Sequence, residues 1–199
     1  MKAWHYSGSV VLNSQLHLGV FLEGRLLGAM QFGPSLDKRK IIGLVSGTAW
    51  NGFLELNRMA FSDALPRNSE SRALGIALRL IRAQYPHVEW VVSFADAAQC
   101  GDGAIYRASG FVLTGITPNK TIARLPDGRI VAKVTVSQRS DMNPDGRARL
   151  PDGSTMLPGF MLRYIAFLNP LAPARLAVPE LNYSEIEARG ARMYRGRAL

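Results

Sequence analysis

Through its first sixty positions the chain alternates short apolar runs with turn-forming residues. LHLGVFLEGRLLGAMQFG holds two apolar stretches separated by Glu23-Gly24-Arg25. Glycine tolerates the positive φ of a tight hairpin, so the two stretches are expected to pair as strands with Gly24 at the turn. DKRKIIGLVSG begins as a basic cluster and becomes apolar. Its charged part reads as a solvated loop or, alternatively, a phosphate contact. GFLELNRMAFSD alternates as a strand does, with Phe53, Glu55, Asn57 and Met59 on one side and Leu54, Leu56 and Arg58 on the other. Neither side is purely apolar, which leaves room for a ligand-facing edge.

The pattern then changes period. In SESRALGIALRLIRAQYPH, Ala73, Ile76, Ala77, Leu80 and Ile81 recur at helical spacing, with Arg72, Arg79 and Arg82 on other faces. Ser69 or Ser71 is expected to cap its start, and Pro86 to mark its end. VEWVVSFAD reads as a buried strand, GDGAIYRASG as a short helix closed by Gly110, and FVLTGI as the start of a further strand. Strands and helices in this order predict an α/β domain preceded by additional sheet strands.

The second half is built differently. ARLPDG occurs at Ala123–Gly128 and again at Ala148–Gly153. Pro-Asp-Gly is a turn signal, so two hairpins are expected, with a duplicated binding loop as the alternative. PGFMLRYIAFLNP reads as a late strand. ARGARMYRGRAL carries Arg189, Arg192, Arg195 and Arg197 with little to bury, and reads as a solvated basic tail.

Composition narrows the class. The 199 residues carry a net charge of +9 and 47% hydrophobic residues. Disorder is therefore not expected, and a polyanionic partner is favoured, nucleic acid ahead of an anionic membrane surface. A single cysteine, Cys100, excludes an internal disulfide and a structural cysteine zinc site. No uninterrupted apolar run reaches about 18 residues, and the N-terminus lacks a signal-peptide pattern, so a soluble cytosolic protein is expected.

The short catalytic motifs GxxxxGK[ST], HExxH and GxSxG are absent. Of the three histidines, His87 reads as a surface residue and His17 as a packed one, while WHYS places the imidazole of His5, the phenol of Tyr6 and the hydroxyl of Ser7 in consecutive positions. LPRNSESR enters the long helix, whose free N–H groups would hold a pyrophosphate with help from Arg67 and Arg72; an ion pair with Glu70 is the alternative. Asp96 ends a buried strand, where ligand sites of α/β sheets gather, or else caps the next turn. Tyr106 lies on a short amphipathic helix, either as a packed aromatic or as an acid.

Taken together, LELNRMAF, LPRNSESRALGIALRLI and GAIYRASGF resemble the central strand, the pyrophosphate loop with its helix, and the helix-to-strand signature of GCN5-related N-acetyltransferases. Arg67 to Arg72 departs from that family's pattern in containing no glycine. WHYSGSVV, LNRMAF, VVSFADAAQCGDGAIYRASGFVLTG, NKTIARLPDG and RYIAFLN, in this order, resemble more closely the Mom-type DNA modification proteins of bacteriophages. This resemblance implies a mixed central sheet flanked by helices, with additional hairpins in the second half. The implied division is a catalytic domain over 1–180, including a hairpin elaboration at 117–160, and a basic tail over 181–199.

The implied activity is addition of a carbamoylmethyl group to adenine N6 in double-stranded phage DNA, in the cytoplasm of the bacterial host, protecting that DNA from restriction. Implied catalytic residues are Asp96, Tyr106, His5, Tyr6 and Ser7. Asn57, Arg58, Arg67, Asn68, Ser69, Ser71 and Arg72 would bind acyl-CoA or acetyl-CoA. Lys38, Arg39, Lys40, Lys120, Arg124, Arg189 and Arg192 would contact DNA. Iron is implicated in the family, with His5 and Asp96 as candidate ligands and the full ligand set unassigned. The alternatives are an acyl-CoA-dependent N-acetyltransferase acting on a small amine or protein, and a non-catalytic basic DNA-binding protein. No membrane partner is expected, and homodimerisation stays open.

Overall fold

Glu23 and Gly24 both adopt positive φ, 51° and 75°, and so form a two-residue turn matched to the twist of a hairpin. It joins β1 (Leu16–Leu22) to β2 (Arg25–Gly33) with Leu22 opposite Arg25, as the sequence predicts. The computed structural model describes residues 10–96, 101–133, 150–194 and 197–198. The chain divides into two compact units. The first holds Met1–Phe94, Gly103–Gly115 and Arg163–Tyr183; the second holds Ala95–Asp102, Ile116–Leu162 and Ser184–Leu199.

The basic cluster is not a loop. Lys38–Ile41 form the short helix α1, followed by one 3₁₀ turn at Ile42–Leu44. Ile41 and Leu44 are buried in a cluster with Val45, Phe53, Trp90, Val92, Ile165 and Ala172. That burial orders a segment whose charges alone suggest solvation. β3 (Phe53–Phe61) pairs antiparallel with β2 and parallel with β4 (Trp90–Asp96), Phe53 facing Trp90. Their rings stack 4.4 Å apart at 7°, and Trp90 Nε1 donates to Thr48 Oγ1 at 2.9 Å.

The crossover from β3 to β4 is α2 (Ser69–Gln84), the predicted helix. Its buried face is Ala73, Leu74, Ala77, Leu78 and Ile81, whereas Ile76 and Leu80 stay exposed. The apolar stripe is thus rotated from the expected one, because Leu74 and Leu78 turn inward with the alanines. Neither serine caps the start. Asn68 is the N-cap residue, at φ 67°, and the Ser69 and Ser71 hydroxyls donate instead to the Pro66 and Asn68 carbonyls at 2.6 and 3.2 Å.

After α3 (Ala104–Ala108) come β5 (Val112–Pro118), β6 (Ile122–Arg124), β7 (Ile130–Ala132), β8 (Thr155–Met156) and β9 (Phe160–Phe167). The late strand β9 inserts between β4 and β5, giving a six-stranded mixed sheet of order β1-β2-β3-β4-β9-β5. This is the expected α/β class with its mixed central sheet.

The first ARLPDG makes the predicted hairpin, β6 to β7, with Gly128 at φ 85°. The second copy also turns, at Gly153 with φ 81°, but the strand after it, β8, pairs with β6 rather than with a local partner. The result is a three-stranded sheet, β7-β6-β8, in the second unit. Buried Asn119 holds it together: its Oδ1 accepts from the Thr121 and Ile122 amides at 3.0 Å, and its Nδ2 donates to the Ile122 and Leu157 carbonyls at 2.9 Å. Asn119→Ala should cost about 2–4 kcal/mol, since it orphans several backbone groups at once. Hydrogen exchange should show the loss first at the Thr121 and Ile122 amides.

The C-terminal segment is not a bare tail. Ser184–Ala188 form α4, which buries Ile186, and Ala191 beyond it is fully buried. β10 (Met193–Tyr194) and β11 (Arg197–Ala198) pair antiparallel. Among the described residues no helix is long and apolar enough to cross a membrane.

Candidate active site

β3 carries a bulge at Asn57: Gln31 faces Arg58 and Phe32 faces Leu56, so Asn57 is the extra residue. An inserted residue shifts the phase of alternation, so the two-sided reading of β3 holds only as far as the bulge. Asn57 is fixed on both sides of its amide. Its Oδ1 accepts from Ser14 Oγ at 3.3 Å, and its Nδ2 donates to the Pro34 carbonyl at 3.2 Å. Gly33 is required beside it, because a Cβ there would lie 2.8 Å from both Asn57 Oδ1 and the Ser14 Cα.

Arg58 Nη1 donates to the Asn57 carbonyl at 3.1 Å, while its buried Nε has no hydrogen-bond partner among the described residues. A guanidinium with an unspent N–H beside a strand bulge is suited to an anionic or carbonyl ligand. Glu55 lies on the same strand, and pattern reading attaches no role to it. Burial pushes its carboxyl above the ordinary value of 4.5, opposed by hydrogen bonds from Ser35 and Asn57 and by the Arg58 charge.

The raised value has a consequence for stability. A carboxyl with a raised folded pKa favours folding fully only below its unfolded pKa, and that advantage drains away as pH rises through the folded value. Glu55→Gln should therefore raise the melting temperature at pH 7, and the gain should shrink to nothing below about pH 4, near the unperturbed glutamate pKa. Thermal melts across this range measure it.

The start of α2 supplies the second group. Arg67, Asn68 and Arg72 are found around the first turn, the first two exposed and Arg72 exposed as well, and no capping side chain occupies its N–H groups. Ser109 ties this turn to α3: its hydroxyl reaches the Ser71 carbonyl at 3.2 Å and the Ile105 carbonyl at 2.8 Å. The structure thus brings together the helix that carries Tyr106 and the Ser69–Arg72 turn.

α3 is seated with unusual tightness for five residues. Its N-cap, Gly103, sits at φ 83°, and a Cβ there would fall 2.5 Å from Tyr164 Cε2. Its other end closes through the Gly110 amide to the Arg107 carbonyl and the Phe111 amide to the Tyr106 carbonyl, both at 3.1 Å. These are the paired bonds of a Schellman closure, with Gly110 at φ 81° as predicted. The Tyr106 ring packs against Tyr164 at 5.3 Å and Phe111 at 5.4 Å, and both of those rings are fully buried. Tyr106 itself is half-buried. The seat of Gly103 against Tyr164 was beyond sequence reading, since that contact depends on β9 entering the sheet.

Asp96 ends β4 and is buried, 8% exposed, as expected of a strand-end carboxylate rather than of a solvated turn. His5, Tyr6 and Ser7 lie outside the described residues. Among the described residues no group of His, Cys, Asp or Glu is arranged to hold a metal ion, and no ligand set for iron is assigned.

The basic residues scatter. Lys38 Nζ lies 4.6 Å from the Trp50 ring centre and 3.2 Å from Asn51 Oδ1, at the Phe53 end of β3 rather than at the bulge. Desolvation lowers its pKa. Arg39, Lys40, Lys120 and Arg124 are exposed. Arg189 and Arg192 face Glu185 and Glu187 of their own segment, both as surface pairs.

Comparison with known proteins adds the following. Two solved structures to which the chain is similar are a phosphinothricin N-acetyltransferase (13% identity, 73% of this chain and 66% of that one, TM-score 0.39) and the ribosomal-protein-alanine N-acetyltransferase of Brucella melitensis (15%, 76% and 67%, TM-score 0.44). The chain spans about two thirds of the length of each. The methylcarbamoylase Mom of Escherichia phage Mu is 42% identical over 175 residues, covering 86% of this chain and 71% of the relative. The Mom protein family model matches residues 1–185, and the chain belongs to that family.

Proposed function

We propose that the chain is a transferase that adds a carbamoylmethyl group to N6 of adenine in double-stranded DNA, and that DNA so modified resists restriction endonucleases. The observation that carries this reading is the 42% identity to a phage methylcarbamoylase across most of the chain. The net charge of +9 suits a DNA substrate.

Adenine N6 is a weak nucleophile because its lone pair is delocalised into the ring. The enzyme must orient that nitrogen and take a proton from it as the new N–C bond forms. Asp96 fills this role as a buried carboxylate that accepts a hydrogen bond from the exocyclic amine. Tyr106 is the general acid, delivering a proton to the departing group. His5, Tyr6 and Ser7 position the base, which has to leave the helical stack to be reached.

The first turn of α2, with Arg67, Asn68, Ser69, Ser71 and Arg72, fits the pyrophosphate of an acyl-CoA, and Asn57 and Arg58 fit its acyl arm. When bound, such a cofactor supplies an activated two-carbon unit. The product needs two further inputs: a nitrogen donor that displaces the CoA thiolate to form the amide, and a two-electron oxidant, because the methyl carbon exchanges a C–H bond for its bond to N6. Phosphate contacts fall to Lys38, Arg39, Lys40, Lys120, Arg124, Arg189 and Arg192.

The test is cleavage. DNA from cells expressing the chain should resist endonucleases whose sites contain adenine, and Asp96→Asn should restore cutting. Equal cutting of DNA from wild-type and empty-vector cells contradicts the proposal.

A further inference from the structure

The β6–β7 hairpin presents a side-chain row suited to a DNA groove. Register places Arg124 between Ile130 on β7 and Thr155 on β8. Residues directly opposite one another project to the same face, and all three are exposed, Ile130 at 45%. A cation, an apolar group and a hydroxyl thus stand side by side across three strands.

The charges around this row are largely uncompensated. Among the described residues of the 116–162 segment, the cations are Lys120, Arg124, Arg129 and Lys133, and the carboxylates are Asp127 and Asp152. Asp127 is taken up by Arg129: its Oδ2 accepts from Nε at 2.7 Å and its Oδ1 from the Arg129 amide at 3.0 Å. The hairpin tip is therefore neutral. Lys120 and Lys133 lie at the open end of the ribbon, where the Lys133 amide donates to the Thr121 carbonyl at 2.8 Å. Asp152 is the remaining carboxylate, on the turn before β8.

The ribbon is also rigid where it needs to be. Asn119 locks both the start of β6 and the chain after β8, so the row is held by buried hydrogen bonds rather than by a loose loop. A reading element has to be fixed in this way.

We infer that the β6–β7 hairpin enters the major groove of the substrate duplex, with Arg124 reading a base edge and Lys120 and Lys133 holding phosphates. This rests on the proposal that the substrate is DNA, and adds which element sets the sequence context. The strand face from Ile122 to Arg124 spans about 7 Å, roughly two base-pair steps along a groove about 12 Å wide. Arginine recognises the paired acceptors of guanine, an apolar group the thymine methyl, and threonine either kind of edge. Arg124, Ile130 and Thr155 supply that set.

The test uses the purified full chain and a panel of short duplexes that differ around one adenine, with affinities measured over a salt series. Arg124→Ala and Arg124→Lys should reduce discrimination between the best and the next-best duplex about tenfold, the lysine variant keeping the charge but losing the two-pronged contact. The double variant Lys120→Ala/Lys133→Ala should weaken all duplexes alike and lower the salt slope by about 2, close to one unit for each phosphate no longer held.

If both arginine variants lower affinity equally for every duplex, or the lysine pair leaves the salt slope unchanged, the inference is overturned. These readouts do not depend on catalysis. A chain that shows the predicted discrimination but makes no modified adenine sinks the proposed reaction and leaves the ribbon standing. A chain that modifies adenine with its context unaffected by Arg124 does the reverse.

Discussion

Gly103→Ala should loosen α3 and cut activity sharply, although the change adds a single methyl group. Gly103 holds φ 83°, where an alanine is strained, and its added Cβ would lie 2.5 Å from Tyr164 Cε2 and 2.8 Å from Cζ. Tyr164 cannot give way easily, because it is fully buried in β9. The expected cost is about 2–5 kcal/mol, combining roughly 1–2 for a left-handed alanine with roughly 1–3 for overpacking. Movement of Gly103 drags the Tyr106 and Arg107 amides that donate to its carbonyl at 2.9 and 3.2 Å. Hydrogen exchange at these two amides should accelerate before global melting. A control, Gly24→Ala, meets the same backbone strain at φ 75° with nothing within 4 Å of the new Cβ, and should leave α3 protection and activity intact.

The second large effect is chemical. Asp96→Asn should lower the rate of adenine modification by about 10²–10⁴-fold, the range for loss of a positioned proton acceptor. The substitution keeps shape and some hydrogen-bonding capacity at a buried strand end, so folding should survive. Tyr106→Phe should fall in the same range if the hydroxyl delivers a proton, since its ring would keep its packing on Tyr164 and Phe111. Melting temperatures within a few degrees of wild type would assign both losses to the reaction. If either variant keeps full activity, its residue has no place in the catalytic set.

Local signals in the sequence foretold those parts of the fold that local chemistry decides. Glu23-Gly24 announces the first hairpin, Pro86 follows the end of α2, and Gly110 closes α3 because only a few residue types adopt its backbone. The apolar run of β4 is legible for the same reason: it is buried along nearly its whole length. What escaped depends on distant partners. The bulge at Asn57 exists only against β2, and β8 joins β6 across some thirty residues although its own turn suggests a local hairpin. α1 is four residues long, too short to show a period, and is ordered by Ile41 and the neighbouring Leu44. In α2, leucine and alanine on adjacent faces left the inward stripe ambiguous until the sheet chose Leu74 and Leu78.

The candidate site divides along the same line. Asp96, Tyr106 and the Arg67–Arg72 turn were legible from their place at strand ends and helix starts, and from family resemblance. Glu55 and the seat formed by Gly103 and Tyr164 were not. Glu55 looks like one polar position in an alternating strand, and its significance comes from burial beside Arg58. Gly103 reads as a turn glycine, with no hint that a tyrosine sixty residues later fills the space of its missing side chain.

The central claim concerns a covalent change on one base. The most direct measurement is mass spectrometry of nucleosides from bacterial DNA after expression of the chain, with Asp96→Asn and empty vector in parallel. The account predicts a new deoxyadenosine species whose mass is increased by one carbamoylmethyl group in place of one hydrogen, present with the wild-type chain and depleted in the variant. Unmodified deoxyadenosine from cells that contain folded wild-type protein, or a gain of a plain acetyl group instead, would contradict it.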